Sequence, residues 1–240
     1  MKIQYTTNAA YFPKSKICAV SDIHIGIEGA LQAEGFGMPL NEEKELIQRF
    51  KTITRQFSPK TIILNGDILH EFGKLRKNTK KSFDRIITTL LSSTDKTILI
   101  SGSHDQMLET ALQNIDITSE PSYTTDGIMF THGDTIPNHA NDKNIKLIVI
   151  GHEHPALDVE LKKEPCFLYG KKTWKNKDIL VLPAFNPLCS GSSINYMNSQ
   201  DFLSPFIQQS DIDTYQPIIA IKDETLKFPP LKKFKDILQY

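Results

Sequence analysis

The chain has 240 residues, enough for one large domain or two small ones around a buried core. Its 28 Lys and Arg balance 28 Asp and Glu, so no global field favours nucleic acid or an anionic membrane, and any polyanion contact has to be local. No apolar run approaches the ~20 residues of a membrane span, the N-terminus lacks the apolar core of a secretory signal, and Cys18, Cys166 and Cys189 are widely spaced without a Cys-x-x-Cys pair; a cytoplasmic protein with reduced thiols and no membrane partner is expected.

In chain order, the first strand is expected at 17–21 (ICAVS), followed by a long loop at 26–39. A helix is expected over 41–57, with Asn41 as N-cap and Leu46, Phe50, Ile53 and Phe57 on one face. A strand at 61–65 (TIILN) precedes a second helix over 79–91, whose inward face holds Phe83, Ile86, Ile87, Leu90 and Leu91. A third strand at 97–101 leads to a short helix starting near Asp105, with Met107, Leu108, Ala111 and Leu112 inward. Strands follow at 127–131, 146–150 and 178–183, then a loop at 186–200 long enough to line a site, and a hairpin over 215–228 turning near Asp223–Glu224. Most of these strand runs lack polar alternation, the pattern of strands covered on both faces. Strands alternating with helices predict parallel pairing in the first half, and the antiparallel ending predicts a second sheet. No repeat or Gly/Ser-rich linker divides the chain, so one domain over 1–240 is expected, its strand-rich part from about 179 to 240 completing the second sheet.

The informative residues follow the strands. The run at 17–21 enters Asp22-Ile23-His24, that at 61–65 enters Gly66-Asp67, and that at 97–101 enters Gly102-Ser103-His104-Asp105. The runs at 127–131 and 146–150 enter His132-Gly133-Asp134 and Gly151-His152-Glu153-His154. Six of the seven histidines lie at such ends, where the carboxyl edge of an α/β sheet binds its ligands. A single His at a strand end is usually structural; five donor-bearing ends in one sheet predict a metal site built from imidazole and carboxylate, suited to Mn, Fe, Zn or a similar divalent ion. The alternation in Asp22-x-His24 and His152-x-His154 is expected to aim paired side chains the same way from extended backbone. There are too many donors for one ion, and Asp67 can bridge two, which would clamp a phosphoryl group and lower the pKa of a bridging water. A glycine beside each donor is expected to leave room for the turn and for phosphate. A His-Glu-x-x-His zinc site is excluded, because in GHEHP the histidines are two apart and Pro follows.

These motifs, Asp-x-His at 22–24, Gly-Asp at 66–67, Gly-Ser-His-Asp at 102–105, His132 and Gly-His-x-His at 151–154, resemble in kind and order those of the calcineurin-like metallophosphoesterases. The strings NGDILHEFG, GHEHPAL and LPAFNPLCSG are similar to the archaeal group related to SbcD-type DNA-repair nucleases. The resemblance implies an α/β fold of four layers, αββα, with two mixed sheets face to face and helices outside. It implies a first metal held by Asp22, His24, Asp67 and His154, and a second by Asp67, His132, His152 and residue 103. It also implies His104 beside the scissile phosphate, donating a proton to the leaving oxygen or stabilising the charge there, with Asp105 orienting its ring. The cofactors expected are two divalent ions, Mn first, with Fe, Zn, Ni or Co as alternatives.

At position 103 the family has Asn and this chain has Ser, whose hydroxyl is shorter and a weaker donor. A looser second metal site is expected. The function expected is hydrolysis of phosphodiesters, nuclease-like or on small molecules, by attack of metal-bound hydroxide; the alternative is a catalytically weakened member that binds nucleic acid or a partner protein. His70 and Glu71 are candidates for support of the donors. The lysines around 74–81 and 171–177 read as solvated faces, and Trp174 as a packing residue.

Overall fold

The computed structural model describes residues 1–6, 8–36, 41–159, 162–221 and 224–238. The first sheet contains β1 (Gln4–Thr6), β2 (Ala9–Phe12), β3 (Ile17–Val20), β4 (Thr61–Asn65), β5 (Lys96–Ile100) and β6 (Ser119–Glu120), ordered as in the chain. Strands β3 to β6 run parallel, and β1 and β2 add antiparallel at one edge. The chain continues through β7 (Ser122–Thr125), β8 (Ile128–Thr131), β9 (Leu147–Ile150), β10 (Pro155–Val159), β11 (Lys162–Pro165), β12 (Phe167–Trp174), β13 (Lys177–Val181), β14 (Ser192–Ser193), β15 (Gln216–Ile221) and β16 (Glu224–Lys227). Of these, seven form a second mixed sheet ordered β16-β15-β12-β13-β9-β8-β7, with β8, β9 and β13 parallel, while β10, β11 and β14 form a small third sheet.

The central strands of each large sheet are buried on both faces, which is why they lack polar alternation. In β4, Ile62 and Leu64 face helices α2 (Glu42–Phe57) and α3 (Lys77–Ser93) through Leu46, Phe50, Phe83 and Ile86, whereas Ile63 joins the core between the sheets with Phe130, Val149 and Leu180. The two mixed sheets and their flanking helices are those expected. The outer face of the second sheet, however, is covered by short pieces. Ile148, Ile150 and Val181 pack against Phe202, Phe206, Ile207 and Tyr215, in and around a single helical turn at Pro205–Gln208, and against Leu231 of a C-terminal helix at Leu231–Leu238.

Several expectations need correction. Leu91 is exposed rather than inward, because α3 leaves only Phe83, Ile86, Ile87 and Leu90 on its buried stripe with Thr79. Asn41 sits at the N-cap of α2 without a side-chain cap bond. Part of the loop expected at 26–39 is helical, over Ile27–Ala33, and its residues 37–39 lie outside the described residues. The hairpin pairs Ile221 with Glu224, and Asp223 lies outside the described residues. No described helix is long and apolar enough to cross a membrane.

Candidate metal centre

The carboxyl ends of the parallel strands meet at one pole. Ser21, just past β3, bridges to Ala184, just past β13, and Asn65 Nδ2 at the end of β4 donates to the Thr131 carbonyl at the end of β8, 2.9 Å away. The donor residues lie beyond the strands, in turns rather than extended backbone. Asp22, His24, Asp67, His152 and His154 all have left-handed φ, between 44° and 69°. For residues other than glycine that conformation costs ~1–2 kcal/mol each, and five together mark a site whose surroundings hold it. The surroundings are visible: Asp22 N donates to the Gly66 carbonyl at 3.0 Å and His24 N to that of Asp67 at 2.9 Å. The expected alternation out of extended backbone is thus replaced by paired tight turns.

The glycines serve the donors rather than a phosphate. A Cβ on Gly66, at φ +88°, would stand 2.3 Å from His132 Nδ1; one on Gly151 would stand 1.7 Å from Ser21 Oγ and 2.7 Å from Asp22 Oδ2. The space each leaves is already filled by a donor or its support.

Among the described residues four sets of donor atoms converge, each within 4.8 Å; two of them contain carboxylates, Asp22, His24 and Asp67 in one and Asp67, His132 and His152 in the other. Asp67 belongs to both. His154 joins the first set, its Nε2 lying 3.2 Å from Asp22 Oδ1 and 3.3 Å from His24 Nε2. In the second, His132 Nε2 lies 3.3 Å from Asp67 Oδ1 and 3.1 Å from His152 Nδ1.

The electrostatics ask for positive charge. Asp22 and Asp67 are 0% and 2% exposed, yet among the described residues their only charge partners are histidines. Burial works against ionisation of both, but His154 for Asp22 and His132 for Asp67 hold them below the usual carboxylate range. In return His132, despite burial, is raised to about 9 by Asp67 and Asp22, and His154 is raised by Asp22. Burial and neighbouring imidazoles push His24 down to about 4 and lower His152. The same carboxylates thus favour positive charge on His132 and His154. A pair of divalent ions would fit the same oxygen and nitrogen donors and displace the protons that carry it.

The remaining candidates divide. His104 Nε2 is 3.8 Å from Asp67 Oδ2, its backbone N–H donates to Asp67 Oδ1 at 2.9 Å, and its Nδ1 is buried with no partner. Asp105 therefore does not orient that ring by a hydrogen bond. Its Oδ1 accepts from Ile68 N and Leu69 N at 2.8 and 2.9 Å and its Oδ2 from Gly102 N at 2.8 Å, clamping the loops after β4 and β5 together. Ser103 is exposed, makes no hydrogen bond to a described residue and does not line the cleft.

His70 and Cys189 add donors that the sequence left secondary. His70 Nδ1 lies 3.4 Å from His24 Nδ1, and Cys189 gathers with His24 and His154. The only signal for His70 was its place after Gly-Asp; Cys189 has no spacing signal at all. Glu71 is structural, bonding Arg76 at 2.7 Å and the Thr79 hydroxyl. His24, Asp67, His70, His104, His152 and His154 line a cleft of about 430 Å³ whose other wall comes from residues 188–192, within the loop expected to line a site.

Fold and cluster define a two-sheet α/β protein with donors for divalent metal at its carboxyl pole. No family model and no curated protein matches the sequence. Among solved structures the chain is similar to the nuclease MPE of Pseudomonas putida, at 17% identity over 94% of each chain with a TM-score of 0.62. It is more loosely similar to Yfce, a phosphoesterase from E. coli, at 14% identity over 89% of this chain and 98% of that one, with a TM-score of 0.41. The first likeness shows the fold: this chain is built like that nuclease.

Proposed function

We propose that the chain is a phosphoesterase dependent on two divalent ions, Mn first among them, and that it hydrolyses phosphodiesters. The observation that carries this reading is the pair of donor sets joined at Asp67. Asp22, His24, Asp67 and His154 would hold one ion, and Asp67, His132 and His152 the other. When bound, the ions supply Lewis acidity toward the phosphoryl oxygens and a lowered pKa for a water between them.

The chain's own residues do the rest. His104 has its Nδ1 buried, so it exchanges a proton with substrate only through Nε2, the nitrogen beside Asp67 at the cleft, where a leaving oxygen can take it. Asp105 keeps that loop in register with the loop bearing Asp67. Phe72, 60% exposed, meets His104 edge-on at 5.1 Å and offers an apolar surface to a leaving group beside that ring.

The reading is tested by hydrolysis of bis-p-nitrophenyl phosphate with Mn²⁺, which EDTA should abolish. No turnover with any divalent metal would overturn it. The second reading, a weakened member that binds nucleic acid or protein, draws on Ser103, whose exposure leaves three described donors for the second ion. It predicts binding without turnover, with activity regained in Ser103→Asn.

A further inference from the structure

The opposite ends of the same strands carry a different residue. Lys16 and Lys60 immediately precede β3 and β4, Lys96 opens β5, Lys146 precedes β9 and Lys177 opens β13. Because the carboxyl ends of both sheets meet at the donor cluster, these lysines gather at the other pole, a strand length of roughly 15 Å away. Two adjoining cavities open there. The larger, about 540 Å³, is lined by Lys143, Lys146, Lys172, Lys175 and Lys177, with Asp178 its one acidic residue. The second, about 470 Å³, shares Lys146 and Asp178 and adds Lys2, Lys14 and the acidic Asp126.

Among the described residues no carboxylate forms an ion pair with Lys143, Lys146, Lys172, Lys175 or Lys177, although Asp142 stands near enough to Lys177 to favour its charge. Lys146 Nζ donates to the Lys143 carbonyl at 2.7 Å, Lys175 Nζ to Asn141 Oδ1 at 2.8 Å, and Lys177 Nζ to the carbonyls of Asp142 and Ile145, the latter at 2.9 Å. All are neutral oxygens. The carboxylate of Asp178 is occupied by the Tyr169 hydroxyl and by Lys172 N at 2.9 Å. Lys177 is only 6% exposed, so its ammonium is held in one place. Loss of water around it, and then the Lys146 charge, lower its pKa, while Asp142 works the other way.

The backbone adds an independent mark. The turn joining β12 and β13 has left-handed φ at Lys175 and Asn176, 45° and 63°, and Lys172 has φ 54°. Such two-residue turns ordinarily take Asn or Gly, yet lysine stands at the first position.

We propose that this lysine-lined cavity is a binding site for phosphate groups of a polyanion, separate from the metal cluster and independent of the reaction there. The phosphates could come from a free polyphosphate or from a nucleic-acid backbone. The five lysines match either source, since both present closely spaced oxyanions.

The test uses the full chain in EDTA, with inorganic triphosphate and a short single-stranded DNA as probes. Trp174 is the sole tryptophan, and Lys175 Nζ stands 4.7 Å over its ring, so its fluorescence reports on the cavity. Wild type should bind triphosphate saturably. The exposed triple variant Lys143→Gln, Lys172→Gln, Lys175→Gln should bind it at least about tenfold more weakly with an unchanged melting temperature, and Lys143→Glu alone should shift affinity in the same direction. If DNA binding also weakens in the triple variant and its salt slope falls by about 2, the site takes a backbone; if only triphosphate responds, it takes the free anion. No saturable triphosphate binding by wild type, or equal affinity in the triple variant, overturns the proposal. Triphosphate binding that persists in a chain with no metal-dependent turnover would defeat the catalytic reading and leave this one standing.

Discussion

One pole of the parallel strands buries its ionisable groups and the other leaves them in solvent. At the carboxyl pole, Asp22 and Asp67 are removed from water, and the imidazoles crowded around them hold both below the usual carboxylate range while His132 and His154 are raised in return. At the amino pole, five lysines share a cavity with one occupied carboxylate, and four of them reach water. The difference teaches where like charge can accumulate. Buried charge has to be compensated on the spot, by a proton or a metal ion, while exposed charge can wait for a ligand.

The largest break in this contrast should come from Asp67→Asn. Replacing the one carboxylate common to both donor sets with a neutral amide that has a single oxygen should lower Mn²⁺-dependent diester hydrolysis by about 10³-fold or more, read as kcat/KM at saturating metal. A fall of less than about tenfold would remove Asp67 from the shared position.

Asp105→Asn comes next. An amide has one acceptor oxygen where three backbone N–H groups now point at two, so unfolding by urea at pH 7.5 should show a loss of about 3 kcal/mol. Unchanged stability with altered activity alone would restore a role on the His104 ring.

Glu42 sharpens the rule that buried charge needs compensation. It is buried beside the cluster, accepting from Asn186 Nδ2 at 2.7 Å and from Gly26 N at 3.2 Å, and burial lifts its carboxyl to about 7. The folded state therefore holds the Glu42 proton more tightly than the unfolded state. Its contribution is full below about pH 4.5 and is lost as pH rises through about 7. Relative to wild type, Glu42→Gln should gain about 2–3 kcal/mol between pH 4 and pH 8, measured by denaturant midpoints at each pH. A pH-independent difference would mean the carboxyl titrates normally.

The smallest effect is expected at residue 103. Calorimetric titration of Mn²⁺ should give a second equivalent that binds about tenfold tighter in Ser103→Asn than in wild type, or ~1.4 kcal/mol. Two equally tight sites, unchanged by the substitution, would show that the hydroxyl position does not limit the second ion.

Much of the molecule was legible in the residues alone. Uninterrupted runs such as TIILN and KLIVI are strands because both of their faces meet apolar layers, and Leu46, Phe50 and Ile53 mark a helix because 3.6-residue spacing puts them on one stripe. The elements that escaped, such as β1, the helix at Ile27–Ala33 and the small sheet of β10, β11 and β14, are short or polar, and their order comes from neighbours distant in the chain.

The sequence by itself determined which residues stand at the strand ends: histidine and aspartate at one, lysine at the other. Tertiary structure alone decided what those residues touch. His24 and His154 meet across 130 positions, Asp105 spends its oxygens on backbone amides, and Ser103 turns to solvent. The left-handed turns that gather the donors belong to residues with no intrinsic preference strong enough to announce them, so they exist only where the packed fold compels them.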